Sequence, residues 1–403
     1  MTNTFEAIVT GATGINGAAI INRLLNEPKC SKIHCVSRSL KEEYPSKVKH
    51  YSIDLITSNP EQIAATFQKE GVTNITYAFH TAYKEESEEG EACKTNGAML
   101  RNFVIGLEKS NNKTLKRVVL TTGLKYYGPQ FGEVRLPMEE SDRRVPESFS
   151  GLPNFYYIQE DILKELSANK PWDYVIAMPS DICGVSQGGY MNQAFTIALY
   201  AVICKELDEP FYFPGNEKIY KGLNDISYSG LIADFEVWAA QKPETSNERF
   251  NIVNGDSHSW SRTWPKIADY FGLKVPKNQF DNWSSLSNKI TLPTPPPIRL
   301  YQEEMGIKDI PNTEFINHVS FPKWIQQDKV KKAWNQIAER EHLDPNLLDT
   351  GTWAFCDFTV GRTYYVAASM IKARQFGYHG YYDTFQGFQK TFDTLKRGKV
   401  IPS

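Results

Sequence analysis

The chain predicts an α/β protein, a doubly wound parallel sheet joined to a smaller, mainly helical C-terminal lobe, and three observations predict it. First, Phe5 to Val9 reads as a short buried strand, Gly11, Gly14 and Gly17 follow at spacing G-x-x-G-x-x-G, and Ala18 to Leu25 continues with helical apolar spacing. Second, strand and helix patterns alternate from there to Thr122, which implies parallel strands joined by crossovers. Third, beyond residue 258 the pattern turns helical and aromatic. The glycine turn has a physical use. Without side chains the backbone can approach a pyrophosphate, whose charge then sits at the positive end of the next helix. The sheet is therefore expected to be an NAD(P)-binding Rossmann fold.

Each element follows in order. Lys32 to Ser37 and Val48 to Leu55 read as the second and third strands, Pro60 to Glu70 as a helix, and Ile75 to Ala82 as the fourth strand. Glu91 to Glu108 is a helix and Arg117 to Thr122 the fifth strand. A helix opens at Asn154, with Phe155, Ile158, Ile162 and Leu166 as its core stripe, and Trp172 to Met178 is the sixth strand. Asn224 to Ala240 reads as a helix returning to the sheet and Phe250 to Asn254 as a late strand. Farther on, Lys323 to Glu341 and Trp353 to Gln375 read as helices, and Leu292-Pro-Thr-Pro-Pro-Pro-Ile298 as an extended linker or lid edge. The expected division is a Rossmann domain over 1–185, completed by about 224–257, with 186–223 and 258–403 forming a substrate-binding or lid lobe.

Composition narrows the function classes. A length of 403 residues allows a large core and two lobes, and 41% hydrophobic with 23% charged residues is ordinary for a globular chain. A net charge of -2 argues against nucleic acid or an acidic membrane surface as a general partner. Six cysteines form no C-x-x-C pair and no zinc spacing, so no metal is expected. The N-terminus enters a strand at once, and the longest uncharged apolar run, near Ala194 to Cys204, is too short to span a bilayer. These features point to a reducing, cytoplasmic setting.

In such sheets ligands bind beyond the carboxyl ends of the strands. The expected cofactor contacts are therefore Gly11, Thr13, Gly14, Ile15, Asn16 and Gly17 in the first turn, and Ser37, Arg38 and Ser39 after the second strand. Asp54 and Leu55 follow the third strand, Thr81 and Ala82 the fourth, Thr122 and Gly123 the fifth, and Pro179 and Ile182 the sixth. About twenty residues past the triplet, a site for NAD places an Asp or Glu on the ribose hydroxyls. Here Arg38 is available instead, and it suits a ribose 2′-phosphate. A charge-assisted contact of that kind contributes about 1.5–3 kcal/mol, which favours NADP(H). His80 reads as a structural histidine, since no nucleophile motif accompanies it.

Reductases on this sheet generally use a tyrosine to hydrogen-bond the substrate carbonyl, with a lysine four residues later on the same helix lowering its pKa. Here Glu160 stands four residues after Tyr156, and the Tyr-x-x-x-Lys at Tyr270 to Lys274 lies far past the sheet. The segments Thr122-Gly123-Leu124-Lys125-Tyr126-Tyr127-Gly128-Pro129 and Asn154-Phe155-Tyr156-Tyr157 with Glu160-Asp161 carry a resemblance instead. With Asn224 to Ser227, Phe250 to Asp256 and the tail from His379, the chain resembles the progesterone 5β-reductase/iridoid synthase-like family of extended short-chain dehydrogenases. The resemblance implies that Tyr156 is the catalytic tyrosine and that Lys125, moved to the loop after the fifth strand, is its partner, both also touching the cofactor. The choice of Tyr156 over Tyr157 rests on that resemblance alone.

Two departures stand out. The family commonly has Arg-Pro after the sixth strand, where this chain has Met178-Pro179, and the stretch from about Lys277 to Lys323 looks longer than in plant members. The implied activity is NADPH-dependent 1,4-reduction of an enone or enal by way of Tyr156 and Lys125. A ketone or aldehyde reductase or cyclase using the same pair, and a non-catalytic NADPH-sensing protein, remain alternatives. Tyr126-Tyr127, Phe211-Tyr212-Phe213 and Trp353-Ala-Phe355 suggest a small apolar carbonyl substrate, and a homodimer is the candidate assembly.

Overall fold

The computed structural model describes residues 4–39, 43–186, 192–281 and 285–403. Residues 187–191 and 282–284, within stretches assigned above to the second lobe, lie outside the described residues. Six parallel strands form most of the sheet: β1 (Phe5–Thr10), β2 (Cys30–Ser37), β3 (Val48–Ser52), β4 (Ile75–His80), β5 (Arg117–Thr121) and β6 (Asp173–Pro179). The chain then makes β7 (Asp181–Cys183) and β8 (Ile226–Tyr228), which pair with each other, and returns as β9 (Glu248–Ile252) beside β6. The order β3-β2-β1-β4-β5-β6-β9 reverses direction between β1 and β4, which opens a crevice at their carboxyl ends.

The strands are apolar on both faces because helices cover both. Alternate side chains enter different cores: Ala7, Val9 and Val119 pack with helices Ile15–Leu25 and Ser229–Gln241, while Ile8, Val118 and Leu120 pack with Pro60–Lys69, Glu89–Lys109 and Phe155–Ser167. A separate hydrophobic cluster builds the mostly helical C-terminal lobe from helices Gln193–Glu206, Trp260–Phe271, Asp328–Glu341, Trp353–Gly361 and Thr384–Arg397. Its centre is aromatic, with Phe211 stacked on Trp264 at 4.4 Å. Tyr364, Val366, Met370, Ala373 and Tyr378 leave that lobe and pack in the sheet's core. All six cysteines are buried. Among the described residues no helix is long and apolar enough to cross a membrane, and no cluster of His, Cys, Asp and Glu could hold a metal.

Ile158, expected on the core stripe of the helix Phe155–Ser167, is exposed, and the buried face carries Gln159 and Glu160 instead; four expectations about element bounds also need correcting. The helix expected from Asn224 begins only at Ser229, because 226–228 pair with β7 and the Ser227 hydroxyl donates to the Ile252 carbonyl at 2.7 Å. The helix expected over Trp353–Gln375 ends at Gly361: a Cβ there would lie 2.6 Å from the Asn317 carboxamide, and Arg362 turns away to pair with Asp181. The helix expected from Lys323 is divided into a turn, Phe321–Trp324, and the long helix from Asp328. Finally, the proline run is flanked by an antiparallel hairpin, β10 (Asn288–Thr291) and β11 (Glu314–Asn317). The run itself ends in a tight turn, Pro297–Tyr301, fastened where Ile298 N donates to Glu133 O at 2.9 Å.

Arg117, at the buried start of β5, joins the sheet to the helix Ser229–Gln241. It forms a fork with Asp173 and donates from Nη1 to the carbonyls of Ala239 and Lys242 (2.6 Å each) and to Thr245 Oγ1 (2.7 Å). Removing the guanidinium leaves the Asp173 carboxylate without its fork and takes a charged donor from two carbonyls, so Arg117→Met is expected to cost about 3–5 kcal/mol, read as a lower urea midpoint at unchanged slope.

Candidate active site

The glycine turn has the geometry of an anion cradle. Gly11 adopts φ +66°, and a Cβ on it would lie 2.8 Å from the backbone of Thr81 and Ala82; a Cβ on Gly17 would lie 2.2 Å from Gly11 O. Side chains at either position would force the turn off β4 or off its own helix. The helix Ile15–Leu25 starts with no side-chain cap and no acid in its first turn, so its leading amides face outward for an anion. Those are the features a pyrophosphate requires, and an NAD(P) cofactor fits them. Thr13 lies half-buried in this turn and Ile15 is buried beside Gly184. The Asn16 side chain points inward: Nδ2 donates to Thr121 Oγ1 at 2.8 Å and to the Glu236 carboxylate at 3.0 Å, and Thr121 donates to Glu236 at 2.6 Å. Burial pushes that carboxyl up to about 7, against the pull of its two donors. Glu236 escaped sequence reading because nothing in a helical pattern marks an acid that enters the core.

The other strand ends line the same crevice. The Ser37 hydroxyl donates to Ser39 O at 3.0 Å and the Ser52 hydroxyl to Arg38 O at 2.7 Å, leaving Arg38 exposed. Asp54 accepts from Ile56 N at 3.0 Å, which closes its turn, and Leu55 is buried. Thr81 donates to Thr10 O at 2.8 Å beside half-buried Ala82, and Thr122 is held to Ala177 O through both its amide and its hydroxyl. Ile182 packs against the sheet's core. His80 is fully buried, stacked on Phe103 at 5.7 Å and bonded to Thr10 Oγ1 at 2.9 Å, and burial pushes it down to about 3. It is a neutral core residue.

Tyr156 and Lys125 come from different elements to one neighbourhood. A point built as a Cβ on Gly123 lies 3.2 Å from Tyr156 Oη and 3.3 Å from Pro179 O, so the phenol stands at the ends of β5 and β6. Asn154 joins the two segments. Its side chain accepts from Tyr156 N at 3.0 Å and donates to Lys125 O at 2.9 Å. The Lys125 ammonium lies 5.6 Å from the Phe155 ring centroid, and that ring is 4.2 Å from the ring of Tyr156. The hydroxyl of Tyr157, by contrast, is engaged by backbone: it donates to Tyr126 O and accepts from Val145 N. Geometry thus separates two tyrosines that periodicity could not.

The lysine does not lower the phenol's pKa here. Burial raises Tyr156 well above the ordinary tyrosine value, and Tyr83 and Glu89 add to it. The Lys125 ammonium lies 2.9 Å from Glu89 Oε1, so its charge is matched away from the phenol. A neutral phenol can donate a hydrogen bond across the physiological range.

Glu160, at the position the usual lysine would take, faces away from this centre. It is almost fully buried among Arg144 (2.6 Å), Lys164 (2.9 Å) and Arg249 (3.1 Å) and accepts from Tyr126 Oη at 3.0 Å. It therefore ties the lysine loop to the tyrosine helix from below. Sequence spacing marked the missing lysine; it could not show what the glutamate does.

A glycine cradle at β1, strand ends converging on it, and a tyrosine helix over β5 and β6 define an oxidoreductase of the short-chain dehydrogenase/reductase superfamily, with NAD(P)-binding Rossmann architecture. Within that class the chain belongs to the PRISE (progesterone 5β-reductase/iridoid synthase-like) family, whose PRISE-like Rossmann-fold domain matches residues 7–290. It is 63% identical to an uncharacterised protein of Schizosaccharomyces pombe, over 99% of this chain and 98% of that one. It is 29% identical to the 3-oxo-Delta(4,5)-steroid 5-beta-reductase of Arabidopsis thaliana, over 98% of this chain and 93% of the other. Among solved structures, the Bordetella bronchiseptica enzyme WbmG in complex with NAD and UDP superposes with a TM-score of 0.57 at 12% identity, covering 99% of this chain and 96% of that one. This likeness is one of fold.

Desolvation opposes ionisation of Glu160, yet its donors, Arg144 first and then Lys164, hold the carboxyl down to about 2. A carboxyl depressed in the folded state stabilises above its unfolded pKa of about 4.3, and that contribution is lost as pH falls towards 2. Glu160→Gln should therefore lower stability at pH 7 by about 3–5 kcal/mol and flatten the loss of stability between pH 4 and 2, both measured by denaturant unfolding across pH.

Proposed function

We propose that the protein is an NADPH-dependent reductase that saturates the activated double bond of a small enone or enal by 1,4-addition. The observation that carries this reading is the half-buried, neutral Tyr156 hydroxyl beside Gly123 and Pro179, at the crevice end of β5 and β6. The name of the Arabidopsis relative, a reductase of a 3-oxo-Δ4,5 steroid, supports the substrate chemistry. We take 1–185 with about 224–257 as the cofactor unit and 186–223 with 258–403 as the substrate unit, from which the 364–378 stretch returns to the sheet.

When bound, a reduced nicotinamide dinucleotide would supply hydride to the β-carbon of the substrate, and the α-carbon of the resulting enolate would take its proton from water to give the saturated carbonyl. The chain's own residues meet the result. Charge collecting on the carbonyl oxygen is stabilised by the hydrogen bond that Tyr156 donates, in a setting where burial keeps the proton on the phenol. Lys125, oriented by Glu89 and by the hold of Asn154 on its carbonyl, would hold the cofactor ribose. The exposed guanidinium of Arg38 beside Ser37 and Ser39 favours the 2′-phosphate of NADP(H) over NAD(H).

The aromatic stretches support an apolar substrate less than their sequence suggested. Phe211, Phe213 and Trp353 are buried within the helical lobe's own core, and Tyr126 and Tyr127 within the sheet's. Tyr156→Phe is expected to lower turnover by about 10²–10³ while NADPH affinity, read by fluorescence titration, stays within about twofold. The wild-type product should be the saturated carbonyl. An allylic alcohol would instead indicate 1,2-reduction, and unchanged turnover in the variant would remove Tyr156 from the mechanism.

A further inference from the structure

β3 brings to the ribose end of the crevice a residue that its sequence pattern did not mark. His50 lies on β3 opposite Cys35 of β2, half-buried, with Nε2 2.7 Å from Ser37 Oγ. Ser37 gives its single proton to Ser39 O at 3.0 Å, so the neutral ring carries its proton on Nε2 and donates to Ser37. The result is a relay from the ring through Ser37 to the turn that displays Arg38. Ser52, the next outward residue of β3 on that face, pins the same turn through Arg38 O at 2.7 Å.

Arg38 is the cation this turn displays. The nearby lysines of the segment are engaged elsewhere: Lys47 donates to the carbonyls of Leu24, Leu25 and Glu27, and Lys49 pairs with Glu70. Tyr44 stacks on His50 at 6.5 Å from the segment before β3, and Arg38 stands exposed at the end of β2. Burial alone depresses the His50 pKa in this structure, with no charged group acting on it.

We propose that His50 is a determinant of cofactor choice, taking up a proton when a dinucleotide with a 2′-phosphate binds and so adding its positive charge to that of Arg38 beside the phosphate. The inference rests on the NADP(H) reading above. A phosphate monoester carries about 1.5 to 2 negative charges at pH 7, and such a charge beside an imidazole raises its pKa. A ring depressed when the site is free and raised when it is filled takes up a proton between those two values. Affinity for the phosphorylated cofactor therefore rises as pH falls through that interval, while affinity for NAD(H) does not follow.

Isothermal calorimetry on the full chain tests this with NADPH, NADH and 2′,5′-ADP, each in two buffers of different ionisation enthalpy at pH 7. Wild-type protein should take up protons on binding NADPH and 2′,5′-ADP but not NADH. His50→Gln should weaken NADPH about tenfold, abolish the uptake and leave NADH affinity unchanged, which also certifies the fold. Equal NADPH affinity and equal uptake in variant and wild type overturn the inference and leave the cofactor reading intact. Should His50→Gln lose both dinucleotides together, the wild-type measurement decides alone: no excess uptake with NADPH over NADH overturns the inference. Failure of wild-type protein to bind either phosphorylated ligand overturns the NADP(H) reading, and the inference with it.

Discussion

One carboxamide keeps the two parts of the candidate site in register. Asn154 caps the tyrosine helix with its oxygen and holds the Lys125 carbonyl with its nitrogen. On a single helix, the spacing of four residues would position a lysine and a tyrosine without further help. Here the lysine is on a loop, whose freedom must be removed by tertiary contacts. Tyr157 and Glu160 add two more, one through the Tyr126 carbonyl and one through its hydroxyl. The helix that carries Tyr156 thus also carries the groups that immobilise the loop opposite.

The electrostatics follow from that division. Three cations converge on buried Glu160 on one side of the tyrosine helix, whereas on the other side Lys125 is matched by Glu89. The phenol between them is governed by burial, which keeps it protonated. The same logic applies below the glycine turn. There Glu236 is buried but given two donors, Asn16 from the dinucleotide helix and Thr121 from the end of β5, so the turn is anchored to the strand that leads into the lysine loop.

The helical lobe meets the sheet over the crevice through one further ion pair. Arg362, leaving the helix Trp353–Gly361, forks onto Asp181 at 2.7 and 3.0 Å, two residues past the Pro179 carbonyl that neighbours Tyr156. Asn216 secures that departure by donating to the carbonyls of Gly361 and Arg362. The lobe's aromatic residues, meanwhile, mainly hold the lobe itself together, Phe211 and Phe213 against Trp264 being the centre.

The sequence by itself determined the sheet, its parallel sense and the cradle, because these rest on local physics: apolar runs of strand length, helical periodicity, and glycines where a side chain would meet neighbouring backbone within 3 Å. It also marked the strand ends and the absence of a lysine four residues after Tyr156. Only the tertiary structure decided what lies across those ends. Whether Tyr156 or Tyr157 is free of backbone, where Glu160 and Glu236 point, and that His50 meets Ser37 across a ladder are facts about residues far apart in the chain. Periodicity ranks such residues as polar or apolar but cannot pair them. The same reason explains the helix that stops at Gly361: its pattern runs on, and what ends it is Asn317 and Asp181, contributed by other elements.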